Sequence, residues 1–113
     1  MRNRTWLLFL LGLAACSSAP ADSSKVTLKN PEWDRVNVQV VITKSADCEN
    51  RGPEFIGSQE FVLLKDKNQS VIAPNGTSVC WRHDRNPINP TPGQWSGWSR
   101  AIPFPGEDTE TDL

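Results

Sequence analysis

The sequence predicts an all-β fold, a small antiparallel β-sandwich or a barrel-like pair of sheets, from three observations. Residues 36–42 alternate apolar and polar side chains, the period of a half-buried strand, with Val41 as the single apolar residue of the outer set. Clusters of Pro, Gly, Asn and Asp recur at the close spacing of turns between short strands. After residue 25 no window keeps a sustained 3.6-residue apolar period, so helices are not expected.

Further strands follow in chain order. The apolar runs 61–64 and 70–73 flank the polar segment 66–69, which predicts a hairpin. Pro74-Asn75-Gly76 predicts the next turn, with the glycine able to take a positive φ. Residues 77–83 are the following predicted strand. If Val79 and Trp81 of this strand point inward, Cys80 and Arg82 point outward, towards the disulfide partner and the tryptophan segment described below.

The start of the chain has the features of an export signal. Arg2 and Arg4 precede an apolar run, and Leu13-Ala14-Ala15-Cys16 places small residues before a cysteine. This stretch resembles the bacterial lipobox, whose cysteine is acylated and becomes the first mature residue. The resemblance implies that residues 1–15 are a lipoprotein signal peptide and that Cys16 carries lipid, including palmitate, which attaches the protein to a membrane. Ser17, by resemblance to enteric lipoproteins, implies the outer membrane, with the domain facing the periplasm.

The two remaining cysteines, Cys48 and Cys80, are an even pair in an oxidising compartment, and we expect them to form a disulfide. Closing a loop of about 30 residues contributes on the order of 3 to 4 kcal/mol in the chain-entropy model. The alternative is a pair of redox-active thiols, and it lacks the C-x-x-C spacing of that chemistry.

Charge and composition define the ends of the domain. Residues 16–25 are mainly small and polar and predict a flexible tether. Residues 105–113 are acidic and offer little apolar surface, which predicts a disordered tail and leaves 26–104 as the sandwich domain. The whole chain has 12 Lys and Arg against 13 Asp and Glu and no basic run, so nucleic acid is not an expected partner.

Residues 95–99 read Trp-Ser-Gly-Trp-Ser. This motif resembles the W-S-x-W-S box of class I cytokine receptor domains, and we interpret it as convergent because the rest of the receptor pattern is absent. In that family the box lies before or in the last strand of a fibronectin type III sandwich, with its tryptophans interleaved between arginines. The resemblance implies a fibronectin III or immunoglobulin-like sandwich in which arginines stack on Trp95 and Trp98. The arginines available are Arg82, Arg85 and Arg100.

Two interpretations of the tryptophan box stay open. In one, the rings and arginines form a structural clasp on the domain surface, stabilised by cation–π contacts. In the other, exposed rings form a docking or sugar-stacking surface. Polar groups for a sugar would come from Asp84, Asn86, Asn89 and Gln94. The neighbouring loop 86–93 holds three prolines and is either a contact surface or a stiff connector.

No catalytic constellation is present in the sequence. His83 is the only histidine, and Asp84 beside it is expected on the opposite face of the strand. No hydrolase elbow, zinc motif or phosphate loop occurs, so we expect neither an enzyme nor a cofactor or metal site. The leading hypothesis is a lipid-anchored envelope domain that binds a protein partner or assists assembly. The alternatives are a module that binds glycan or cell-wall fragments through Trp95 and Trp98, and an enzyme inhibitor.

Overall fold

The computed structural model describes residues 23–103 and 106–113, and the predicted all-β, two-sheet fold is confirmed in these ranges. The strands of these ranges are β1 (Ser23–Lys29), β2 (Arg35–Thr43), β3 (Phe55–Leu64), β4 (Asn68–Pro74), β5 (Ser78–His83), β6 (Ser99–Ala101) and β7 (Asp108–Asp112). One sheet has three strands in the order β4-β1-β7, and the other has four in the order β3-β2-β5-β6.

The main core lies between the two sheets. Val36, Val38 and Val40 of β2 are fully buried, as the alternation predicted. Burying one such side chain contributes about 1.5 to 3 kcal/mol, and both sheets supply partners for these valines. The other buried members of this cluster are Val26, Leu28, Leu63, Val71, Ala73, Val79 and Trp81.

The predicted disulfide between Cys48 and Cys80 is confirmed, with the two Cα atoms 6.0 Å apart. Strand β5 directs Val79 and Trp81 into the main core and Cys80 to the outer face of the four-stranded sheet. There the disulfide packs with Val41 in a second apolar cluster. This cluster explains why Val41 departs from the polar pattern of the outer set.

The predicted hairpin of residues 61–64 and 70–73 is wrong, because β3 pairs with β2 whereas β4 pairs with β1 in the other sheet. Backbone bonds tie the connection to the β1–β2 loop. The amide of Lys65 donates to the carbonyl of Asp34 at 3.2 Å, and the amide of Asp66 donates to that of Asn30 at 2.7 Å. These contacts join two connections distant in sequence at the point where the chain passes from the four-stranded sheet to the three-stranded sheet.

The acidic C-terminal segment forms β7, so the predicted disordered tail is wrong for residues 108–112. Its parallel pairing with β1 is the exception, since the other strand pairs in the described ranges are antiparallel. Lys25 Nζ lies 3.8 Å from Asp108 Oδ2, and Lys29 Nζ lies 3.3 Å from Glu110 Oε1. Leu113 packs against the main core. Composition alone does not reveal the backbone edge of β1 to which this segment binds.

The domain also begins earlier than predicted. Ser23, Ser24 and Lys25, expected in the tether of residues 16–25, belong to β1, and both serines are buried. Serine is small enough to lie within a sheet, and Ser24 Oγ donates to Asn75 Oδ1 at 3.3 Å. The predicted signal peptide, the lipidated Cys16 and the start of the tether lie outside the described residues.

Candidate binding surface

A row of polar side chains crosses the outer face of the four-stranded sheet. Gln39 of β2 donates from Nε2 to Glu60 Oε2 of β3 at 3.0 Å. On its other side, Gln39 Oε1 accepts from Arg82 Nε of β5 at 2.7 Å. Arg82 Nη1 also lies 4.0 Å from Glu49 Oε2. Cross-strand pairing brings Glu60, Gln39 and Arg82 together, and their bonds fix the direction of the arginine.

The guanidinium of Arg82 lies over both rings of the tryptophan box. Its Cζ atom is 5.3 Å from the Trp95 ring and 4.2 Å from the Trp98 ring, measured to the centroids. Both indoles are half-buried. At such distances a cation–π contact contributes about 0.5 to 2 kcal/mol. We refer to Arg82, Trp95 and Trp98 as the tryptophan clasp.

An irregular register places the two indoles on one face. In a regular strand, positions i and i+3 point to opposite faces. Here Trp95 stands opposite Asp84, and Ser99 stands opposite Trp81. Between these two pairs, the three residues 96–98 lie opposite only two residues, Arg82 and His83. The extra residue has the effect of a β-bulge and restores the outward direction of the second ring. Ser96 anchors the segment, because its amide donates to the carbonyl of His83 at 2.7 Å.

The two tryptophans have different surroundings. Trp98 packs against the cluster that holds the Cys48–Cys80 disulfide. Its Nε1 atom is buried and has no hydrogen-bond partner among residues 23–103 and 106–113. Trp95 instead lines an open cleft. Trp98 is therefore a packing residue, and Trp95 has a ring that a ligand can reach.

Arg85 and Arg100, also expected to stack on the box, take other partners. Arg85 Nη1 donates to Gln94 Oε1 at 3.1 Å, and Arg100 Nη1 donates to Ser78 Oγ at 3.4 Å. Arg85 lies beyond the end of β5, where its backbone amide also binds the carbonyl of Gln94 at 3.0 Å. In the described part of the chain, cation–π contact with the box comes from Arg82.

The loop 86–93, with Pro87, Pro90 and Pro92, projects beside the clasp. Local bonds hold it: the amide of Asn89 donates to the carbonyl of Asn86 at 3.2 Å, and the amide of Gln94 to that of Thr91 at 3.0 Å. Ile88 in this loop is 89% exposed, the largest value among the exposed large apolar side chains of the described ranges. The loop thus presents an aliphatic side chain on a restrained backbone. We refer to residues 86–93 as the proline loop.

Two clefts separate the proline loop from the sheet. The first, here the Trp95 cleft, has a volume of about 420 Å³ and is lined by Asn37, Glu60, Phe61, Val62, Asp84, Pro90, Pro92, Gly93 and Trp95. The second, here the Ile88 cleft, has a volume of about 550 Å³ and is lined by Glu32, Trp33, Asp34, Arg35, Asn37, Asp84, Pro87, Ile88 and Pro90. Both volumes fall within the range of about 300 to 1,000 Å³ that small-molecule sites have.

Asp84 lines both clefts, and its hydrogen bonds hold the wall that the two clefts share. This carboxylate is buried, and its Oδ2 accepts from the backbone amide of Asn37 at 2.8 Å and from Asn37 Nδ2 at 3.0 Å. The sequence marked Asp84 as a polar neighbour of the rings, but not Asn37, Glu60 or Trp33. Asn37 had a signal in the sequence, since it occupies an outward position of the alternating strand β2.

His83 and Asp84 lie on opposite faces, as the strand period predicted. His83 stands opposite Val38 on the inner side, and Asp84 bonds to Asn37 on the outer side. The His83 ring packs on Trp33, with the centroids 4.9 Å apart, and its Nδ1 lies 2.8 Å from the backbone oxygen of Asp84. The His83 imidazole is therefore a packing group at the edge of the sandwich.

The fold and this surface define a small, disulfide-linked, two-sheet β domain with a proline loop beside a tryptophan clasp. Comparison of the chain with family models, curated proteins and solved structures found no match. Within residues 23–103 and 106–113 there is no helix long and apolar enough to cross a membrane. The same ranges contain no group of three or more His, Cys, Asp or Glu side chains placed to hold a metal ion.

Proposed function

We propose that this chain is a lipid-anchored module of the bacterial envelope that binds a protein partner through the proline loop. The observation that carries the proposal is the 89% exposure of Ile88 beside the Ile88 cleft. An aliphatic side chain of this size gains about 1.5 to 3 kcal/mol when a partner covers it. Isolated exposed apolar residues are common, so the restraint of the loop and the adjoining cleft add weight to this one.

Preorganisation supports a binding role for the loop. Prolines 87, 90 and 92 fix three φ angles, and the local backbone bonds restrict the rest. A loop already ordered before binding loses less conformational entropy when a partner docks. The charged side chains of Glu32, Asp34 and Arg35 around the Ile88 cleft give the polar rim that transient interfaces have.

A photo-crosslinking amino acid at position 88 tests the proposal in the full-length chain within its own cell envelope. Ile72 on β4 is the matched control, because it is an isoleucine 48% exposed on the other sheet. We expect a discrete adduct with one other protein from position 88 and none of that mass from position 72. Equal adducts from both positions, or no adduct from position 88, would contradict the proposed surface.

The anchor is a separate part of the proposal, supported by Leu13-Ala14-Ala15-Cys16 and by the serine that follows. Stable attachment needs more than one acyl chain, as the lipobox resemblance implies. Fractionation of cells that express the Cys16→Ser variant tests it. We expect the wild-type chain in the outer-membrane fraction and the variant in the soluble periplasmic fraction. Retention of the variant in the membrane fraction would contradict the anchor.

A glycan ligand is the second candidate, favoured by the Trp95 cleft. The half-buried Trp95 ring lines this cleft together with Asn37, Asp84 and Glu60, and sugars bind to aromatic faces flanked by amides and carboxylates. Trp98 does not share this role, because it packs on the disulfide cluster.

Calorimetric titration of the full-length chain with muropeptides tests the glycan candidate. We expect binding heat with the wild-type chain, loss of that heat in Glu60→Gln, and its retention in Glu107→Gln, an exposed carboxylate outside both clefts. Absence of heat with the wild-type chain, or equal heat with both variants, would remove this candidate.

A further inference from the structure

The free edge of β3 is the feature that points beyond the proposed function. In the described ranges β3 pairs with β2 alone, so its other side lies at the edge of the four-stranded sheet. The strand covers ten residues, Phe55–Leu64, and contains no proline, lysine or arginine. An edge of this length without such residues is a template for pairing with another strand.

The other sheet edges carry more protection against pairing than β3, whose own protective features are the single charge of Glu60 and a bulge near its first residues. Strand β4 ends in Pro74, β6 has only three residues, and β7 has alternating acidic side chains at positions 108, 110 and 112. Short length, proline and charge are the means by which proteins prevent edge pairing. In β3 the register shift beside Ile42 and Thr43 bends only the first residues, and pairing with β2 is regular from Gly57 to Leu64.

The backbone of β3 has a defined set of groups directed to the free edge. The amide of Lys65 donates to the carbonyl of Asp34, so this pair and every second pair before it, including Val40 with Gln59, are the hydrogen-bonded pairs of the ladder. The intervening residues direct their amides and carbonyls outward. Over the regular part of the ladder these are Ser58, Glu60, Val62 and Leu64.

We propose that two copies of this chain associate through antiparallel pairing of their β3 strands, with the two-fold axis at Gln59. In this register Ser58 and Glu60 form the edge hydrogen-bonded pairs, as the backbone requires. Ile56, 42% exposed, stands beside Val62, 41% exposed, of the second copy, because both lie three residues from the axis. Such apolar cross-strand pairs stabilise a sheet.

The same register matches side-chain volumes on the other face. It places Phe61 opposite Gly57 of the second copy, and a Cβ atom built on Gly57 meets nothing within 4 Å. The aromatic ring therefore has space over the glycine, an arrangement known to stabilise glycine positions in sheets. A two-fold interface needs such self-complementarity, since each contact occurs twice.

The neighbouring registers that the backbone allows are less favourable. An axis at Glu60 places two carboxylates directly opposite each other, which is destabilising. An axis at Ser58 places Ile56 opposite Glu60 and Val62 opposite Glu54, so each apolar side chain meets a carboxylate. The Gln59 register keeps the two Glu60 carboxylates apart and pairs Ile56 with Val62, so that the one apolar residue opposite a carboxylate is Leu64, at the end of the strand, which faces Glu54.

Cysteine cross-linking of the full-length chain in its membranes tests the proposal. Gln59 on the axis forms a non-hydrogen-bonded pair with itself, for which Cα atoms lie about 4.5 Å apart, within the range of a disulfide. We expect Gln59→Cys to shift the chain to the mass of a dimer on a non-reducing gel under mild oxidation. Gln69→Cys, exposed on the β4 edge, is the matched control and is expected to remain monomeric.

A second variant separates specific pairing from random collision. Val62→Lys adds a charge to the exposed edge without touching the core, and we expect it to abolish the Gln59→Cys dimer, whereas Ile72→Lys leaves it intact. A stronger dimer from Glu60→Cys than from Gln59→Cys, equal dimers from Gln59→Cys and Gln69→Cys, a cross-link to a different protein, or no dimer would overturn the proposal.

Discussion

The guanidinium carbon of Arg82 lies 4.2 Å from the ring centroid of Trp98, and Trp98 in turn packs against the Cys48–Cys80 disulfide cluster. One arginine therefore links the outer face of the four-stranded sheet to the covalent bridge of the domain. The same guanidinium covers one side of Trp95, which lines a cleft. The clasp thus belongs to the fold, and it also fixes one wall of the candidate binding surface.

Replacement of Arg82 tests the stabilising role of the clasp. Arg82→Gln removes two cation–π contacts and the bond to Gln39, and we expect a loss of about 1 to 3 kcal/mol in the free energy of unfolding. Urea denaturation measures this loss. Arg100→Gln is the matched control, expected within about 0.5 kcal/mol of wild type because Arg100 is exposed. Equal losses of unfolding free energy in the two variants would contradict the stabilising role of the clasp.

The buried indole nitrogen of Trp98 gives a second prediction. Trp98→Phe keeps an aromatic ring and removes a buried donor that has no partner among the described residues, so we expect a change of less than about 1.5 kcal/mol. Trp98→Ala leaves a cavity beside the disulfide cluster and is expected to cost about 3 to 5 kcal/mol. Chemical denaturation of both variants checks this order, and a larger loss in the phenylalanine variant would count against it.

The disulfide is expected to supply a large part of the stability of this small domain. Cys48→Ala combined with Cys80→Ala opens a covalent loop with a sequence separation of 32 residues. We expect a loss of about 2 to 5 kcal/mol, measured by thermal or urea unfolding. The single variants are poor controls because each leaves a free thiol. Stability within about 0.5 kcal/mol of wild type in the double variant would show that the packed sheets suffice.

Strand β7 predicts slow amide exchange at the acidic end of the chain. The amide of Leu113 donates to the carbonyl of Lys29 at 2.9 Å, and residues 108–112 pair with β1. Hydrogen–deuterium exchange is therefore expected to be slower in 108–113 than in residues 50–54, which lie in a loop. If residues 108–113 exchanged at the rate of an unstructured peptide, the result would contradict β7 and support the disordered tail that composition predicted.

Local patterns predicted the parts of the fold that depend on neighbouring residues. The alternation of Val36, Val38 and Val40 identified the core face of β2, and the parity of β5 placed Cys80 and Arg82 outward. The pairing of β4 with β1, and of β7 with β1, depends on backbone edges that only the assembled sheets create. Those edges therefore cannot be inferred from side-chain composition.

The candidate site was predictable to a similar extent. The sequence identified the tryptophan box, the proline loop and the arginine at position 82, because each has a local signature. It did not identify the floor of the clefts, since Asn37 and Glu60 reach it through cross-strand pairing with residues distant in the chain. It also assigned both tryptophans one role, whereas the extra residue in 96–98 gives them different surroundings.

The most direct measurement places a photo-crosslinker at Arg35, an exposed residue that lines the Ile88 cleft, and compares the Ile88→Asp and Ile72→Asp variants. Both substitutions are on the surface and are expected to change the free energy of unfolding by less than about 0.5 kcal/mol. If the proline loop binds a protein partner, Ile88→Asp abolishes the adduct from position 35 and Ile72→Asp retains it. An adduct that persists in Ile88→Asp, with both variants folded, would contradict the account.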